Sequence, residues 1–122
     1  MTGLAARITA EGARLAAACT ACGACVTACP MTPFAPGVDA AEPRVVAGGM
    51  RALLLGEGGV AAESVAWIAA CTRSAQCNAA CPEALDVALM MRFAGMRARG
   101  ATGEAPRYAT RPDPGWSSRV KA

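Results

Sequence analysis

Seven cysteines stand in two arrays, Cys19-x2-Cys22-x2-Cys25-x3-Cys29-Pro30 and Cys71-x5-Cys77-x3-Cys81-Pro82. Thiolates two residues apart on a tight turn can converge on one metal centre, and soft thiolates select iron–sulfur clusters or zinc. A last cysteine followed by proline is the arrangement in which it serves a different cluster from the three before it. Cys25 and Cys29 are four apart, so on a helical turn their Cα atoms lie ~6 Å apart along the axis. They point the same way only approximately, which lets each close one of two neighbouring centres. Two redox centres held that near each other make an electron relay. The chain has no histidine, which excludes a mixed cysteine–histidine zinc site and a histidine general base.

Zinc prefers closed four-ligand sites, and seven cysteines without histidine cannot complete two of them unless a ligand is shared. Disulfides are the ordinary use of many cysteines in a small secreted chain, but an odd count opposes them. Met1 to Ala18 carries Arg7, Glu11 and Arg14 inside its apolar stretch, so it lacks the uninterrupted core of a secretory signal. No apolar run approaches the ~20 residues that cross a bilayer. The expectation is a cytoplasmic protein without direct membrane insertion, for which a partner would be the route of any membrane association.

The elements that must position the thiols read as helices. Thr2–Ala18 is amphipathic, with Leu4, Ile8 and Leu15 on one side, and runs directly into Cys19. Gly23 tolerates positive φ and lets backbone wrap a cluster closely. Ala24 to Cys29 suits one or two helical turns, ended by Pro30 and Pro33. Met31 to Ala41 reads as a loop. Glu42-Pro43 opens a helix running to about Leu55 with Val45, Val46, Met50, Leu53 and Leu54 on its apolar face, though Gly48-Gly49 weakens it. After the Gly56–Gly59 turn, Ala61 to Ala70 is a short helix with Val65 and Ile68 inward, delivering Cys71. Glu83 to Arg99 reads as the clearest helix, entered through Pro82 and stopped by Gly100, with Leu85, Leu89, Met90, Phe93 and Met96 as its buried stripe. No strand-like alternation occurs, so the expected fold is all-α. The expected division is a domain over 1–100 and an extended tail over 101–122, disordered or wrapped on a partner through Tyr108 and Trp116.

The first array with its Cys-Pro, a helical spacer, and Cys71-x5-Cys77-x3-Cys81-Pro82 resemble the α-helical ferredoxin module over Leu4 to about Arg99. Such modules occur in succinate dehydrogenase and fumarate reductase iron–sulfur subunits and in heterodisulfide reductase C subunits. They occur also in the C subunit of anaerobic glycerol-3-phosphate dehydrogenase. The chain looks most similar to a stand-alone heterodisulfide reductase C-like subunit. The resemblance implies that Cys19, Cys22, Cys25 and Cys81 hold one [4Fe–4S] cluster, and that Cys29, Cys71 and Cys77 hold the second. The departure is Ser74, where the C-like subunits usually have cysteine; the succinate dehydrogenase type also lacks that cysteine and carries [3Fe–4S].

Ser74 leaves three outcomes open. A three-thiolate site suits [3Fe–4S], which is the expectation; a [4Fe–4S] cluster could take the Ser74 oxygen or an exogenous ligand; or Ser74 only hydrogen-bonds a cluster sulfide. Around the arrays, small or polar Thr20, Ala21, Ala24, Thr27, Gln76 and Asn78 allow backbone N–H groups to reach sulfur, while Val26 and Ile68 exclude water.

Composition sets the remaining bounds. Aromatic residues are 4% of the chain, so a metal-free core is weak and cluster binding should supply folding free energy. The formal charge of +3 counts cysteines as neutral. A cuboidal cluster with its thiolates carries roughly −2, so two bring the total to about −1 and the arginines do not argue for nucleic acid. Gly56-x-Gly58-Gly59 lacks the Lys-Ser/Thr of a phosphate loop, and Glu83 and Asp86 suit a helix start better than acid–base work. The expectation is a non-catalytic electron-transfer subunit of a multi-subunit oxidoreductase, in a hetero-oligomer with a heterodisulfide reductase B-like or flavoprotein subunit. An open cluster site at Ser74 that binds substrate, and a zinc-stabilised interaction domain, are the competing classes.

Overall fold

The computed structural model describes residues 3–57 and 59–100, and these are helical with no strand among them. The helices are α1 (Gly3–Ala18), α2 (Ala24–Ala28), α3 (Pro43–Leu54), α4 (Ala62–Ala69), α5 (Gln76–Ala80) and α6 (Val87–Ala98), with a 3₁₀ turn at Thr32–Phe34. The all-α expectation holds. The expected tail over 101–122 lies outside the described residues.

Helix α3 is the hub, touching α1, α2, α4 and α6. Pro43 occupies its first turn, and Glu42, pushed extended by the following proline, stands as its N-cap at φ −69°, ψ 122°. Val46, Met50, Leu53 and Leu54 are buried at helical spacing, whereas Val45 is exposed. The helix ends in a Schellman turn: Gly56 at φ 80° lets its N–H reach the Leu53 carbonyl at 3.1 Å and that of Glu57 reach Ala52 at 2.9 Å. Arg51 extends from α3 to the end of α1, where its Nε donates to the carbonyls of Ala16 (2.9 Å) and Cys19 (3.1 Å). A guanidinium at a helix C-terminus satisfies orphan carbonyls and faces the negative end of the dipole.

Gly49 does more than weaken α3. A Cβ there would stand 2.0 Å from Ser64 Oγ and 2.8 Å from Val60 Cγ1, so the missing side chain is the notch into which α4 settles. Buried Ser64 closes the contact by donating to the Val46 carbonyl at 3.0 Å. Trp67 lies fully buried beside it, its indole N–H without a hydrogen-bond partner among the described residues. Of the two residues expected inward on α4, Ile68 is buried and Val65 only partly so. On α1, Ile8 and Leu15 are buried but Leu4 is 60% exposed, because its turn projects past the core.

The last helix departs most from expectation. It begins at Val87 rather than Glu83, because Ala84 adopts φ 54° and Asp86 is the N-cap, accepting from the Leu89 N–H at 3.1 Å. Its buried stripe is Val87, Met90, Met91, Ala94 and Ala98; Leu85, Leu89, Phe93 and Met96 are only partly covered. Gly100, at φ 75°, ends it as expected.

Candidate metal centre

The cysteine arrays fold into two copies of one local structure. In the first, Gly23 at φ 87° caps α2, Cys25 is the second residue of the helix, and Cys29 is its C-cap at φ −70°, ψ 124°. In the second, Ala75 at φ 62° caps α5, Cys77 is its second residue, and Cys81 is its C-cap at φ −70°, ψ 119°. The Cys-Pro ending thus has a mechanical cause. A residue before proline is driven out of the helical region, so Pro30 and Pro82 swing Cys29 and Cys81 away from the helices that carry Cys25 and Cys77. The two short helices pack against each other, which brings each array's last cysteine towards the other array.

The result is two groups of sulfur drawn from both arrays. Cys19, Cys22, Cys25 and Cys81 line one space, closed by Gly23, Met50 and Met90 and walled almost wholly by apolar atoms. Cys77 feels the charges of Cys29 and Cys71, which marks the second group. Cys25 feels Cys19, Cys22 and also Cys77, so the groups adjoin. All seven thiols are free of disulfides. Among the described residues, no three Cys, Asp or Glu side chains converge as a single ion requires. Thiols set around an apolar space rather than around a point suit a polynuclear cluster, and the residues present fit the group that the sequence implies.

Burial is the main force on the deepest thiols. It pushes Cys25 up to about 12, neighbouring Cys19 adding to the rise, and it raises Cys77, with Cys29 and Cys71 adding. Without iron these thiols stay protonated. Metal binding must release their protons and supplies the counter-charge that makes buried thiolates tolerable.

Backbone strain gathers at the same place. Among the described residues, the non-glycine residues with positive φ are Ala21, Arg73, Ala75 and Ala84, each within three residues of a cysteine. Left-handed conformation costs an alanine or arginine about 1 kcal/mol or more and persists where the surroundings dictate it, typically at functional sites. Here it turns the chain around the sulfurs. The Ala21 N–H donates to Cys19 Sγ at 3.4 Å, the backbone-to-sulfur contact that small residues between the cysteines allow. Asn78 beside Cys77 joins α5 to α6: its Nδ2 donates to Asp86 Oδ1 at 3.0 Å, and its Oδ1 accepts from the Ala88 N–H at 2.9 Å.

Ser74 lies exposed on the loop between Cys71 and Cys77, its Oγ accepting from the Gln76 N–H at 3.5 Å. Of the acids weighed for acid–base work, Asp86 serves as the α6 cap. The element that sequence reasoning missed is α5, although the repeated x3-Cys-Pro ending signals it as a copy of α2.

An all-α chain that braids two cysteine arrays into adjoining thiol sets is a two-cluster iron–sulfur protein. Residues 18–86 match the family model of the 4Fe-4S dicluster domain, and the chain belongs to that family. It is therefore an iron–sulfur protein with an electron-transfer role. No curated protein and no solved structure matches it. Among the described residues no helix is long and apolar enough to cross a membrane.

Proposed function

We propose that the protein is a non-catalytic relay subunit that passes single electrons through two adjacent clusters within a heterodisulfide reductase-like oxidoreductase. In this reading Cys19, Cys22, Cys25 and Cys81 hold a [4Fe–4S] cluster, and Cys29, Cys71 and Cys77 hold the second. The observation that carries it is the crossing of the two arrays, with Cys81 lining the same space as Cys19, Cys22 and Cys25. Clusters bound by such crossed sets stand side by side, as a relay needs. When bound, the clusters supply reversible one-electron chemistry; the chain binds them, excludes water with Val26 and Met50, and directs backbone N–H groups at sulfur.

The second cluster is read as [3Fe–4S], held by three thiolates. What supports this is the count of thiols: with four assigned to the first cluster, Cys29, Cys71 and Cys77 are the three that remain. The proposed partners are an oxidoreductase subunit of the B-like or flavoprotein kind, in a hetero-oligomer in the cytoplasm. Electron paramagnetic resonance of anaerobically purified protein tests the reading. A near-isotropic signal in the oxidised state that disappears on mild reduction is expected of [3Fe–4S], followed by a [4Fe–4S] signal with dithionite. Two interacting reduced [4Fe–4S] signals with no oxidised-state signal would reject the second-cluster assignment. Stoichiometric zinc in a colourless protein would reject the relay itself.

A further inference from the structure

On the face of the molecule beside the second thiol set, α4, the Cys71 loop and α6 enclose a cavity of about 210 Å³. Cys71 lines it, and so do three arginines, Arg73, Arg92 and Arg99, over an apolar floor that includes Ile68 and Met91. The floor is shaped by Gly95. A Cβ there would stand 3.3 Å from Ile68 Cγ2 and 3.2 Å from Arg99 Nη1, so glycine makes room for a guanidinium folded back over the helix. Glycine in a helix interior costs about 1 kcal/mol relative to alanine; here it is accompanied by a charged group drawn into a concave site.

None of the three guanidiniums makes a hydrogen bond or ion pair among the described residues. The adjoining cavity, about 220 Å³ and sharing Arg73 and Arg92, contains one carboxylate, Asp86. That carboxylate already accepts from Asn78 and from the Leu89 N–H. Three guanidiniums therefore converge on one hollow with no carboxylate among the described residues paired to them, beside the negative charge that a cluster at Cys71 would carry.

We propose that this hollow is the docking surface for an acidic electron-transfer partner protein, whose carboxylates enter between Arg73, Arg92 and Arg99 beside Cys71. The proposal rests on the relay reading in one respect, that Cys71 belongs to the second cluster. Guanidinium forks pair carboxylates in bidentate fashion, and complementary charge steers encounter and fixes the approach. Such docking would place the partner against the second cluster and away from the first, whose space opens beside Glu83.

The experiment uses the cluster-loaded full chain and a hexaglutamate peptide as probe, followed by calorimetric titration at low salt. The wild-type protein should bind, with affinity falling as salt rises. Arg73→Gln/Arg92→Gln should weaken binding by about tenfold or more, whereas Arg7→Gln/Arg44→Gln, which removes the same charge elsewhere, should leave it within about twofold. Bound peptide should also perturb the resonance signal of the second cluster and spare that of the first. Equal losses in the two double variants would overturn the proposal, since net charge alone would explain them. Citrate binding as tightly as the peptide would overturn it in favour of a small-anion site, and salt-sensitive self-association lost in Arg73→Gln/Arg92→Gln would identify the occupant as a second copy. Peptide binding is read whatever the cluster types, so its failure is distinct from failure of the relay reading.

Discussion

The loop entering α2 and the loop entering α5 make the same left-handed turn with different residues and in different surroundings. At the first turn Gly23 is buried under α3: an added Cβ would stand 2.7 Å from Pro43 Cβ, 2.8 Å from its carbonyl carbon and 3.0 Å from the Arg44 nitrogen. At the second, Ala75 holds φ 62° in an exposed position. The first array is thus clamped between its own helix and the hub of the fold, and only glycine satisfies both the dihedral and the space. The second array bears the strain of its turn openly, and its helix is held by α2 on one side and, through Asn78, by the start of α6 on the other. One turn has been installed once under the hub of the fold and once at the surface.

Substitutions can break this comparison, beginning with the ligands themselves. Cys81→Ser lies in the second array but should abolish the first cluster, leaving the signal of the second; resonance spectroscopy with iron analysis checks it, and loss of the second cluster alone would refute the crossed ligation. Gly23→Ala should cost about 2–4 kcal/mol, combining left-handed strain with a backbone collision that cannot relax. Chemical denaturation of the loaded protein measures that loss. Asn78→Ala should cost about 1–2 kcal/mol, through the hydrogen bonds to Asp86 and Ala88, and should loosen the second cluster before the first. Ala75→Gly should change stability by no more than about 1 kcal/mol, in the favourable direction, because relief of strain outweighs the added freedom of the unfolded chain. If Ala75→Gly proved as harmful as Gly23→Ala, the two turns would not differ as their surroundings indicate.

Much of this arrangement is legible in the chain where a residue acts on its own backbone. Glu42-Pro43 announces the start of α3, Gly100 the end of α6, and Cys-Pro the exit of each ligand, because proline and glycine act locally. The errors lie where partners decide. Gly49 reads as a weak point until α4 is seen seated against it. Helix α6 is apolar on more than one side, so its pattern alone does not choose between the expected stripe of Leu85, Leu89, Met90, Phe93 and Met96 and the stripe of Val87, Met90, Met91, Ala94 and Ala98 that the core selects, in which only Met90 of the expected five is buried. Its start was obscured because Pro82 is a plausible helix entry, whereas Ala84 takes positive φ and defers the helix to Asp86. At five residues α5 is too short to show a period. The thiol sets were legible only through resemblance; what the chain could not show is that α2 and α5 lie against each other, and that packing is what juxtaposes Cys25 and Cys77.

The crossing of the arrays also bears on how the protein is made. Under the proposed ligation, Cys19, Cys22 and Cys25 leave the ribosome long before the partner that completes them, and Cys29 leaves without either of its companions. No finished cluster can exist until Cys77 and Cys81 have emerged, and these stand only four residues apart. Both centres therefore become completable almost together, once the second array has emerged. A protein truncated before Cys77 should then retain neither cluster.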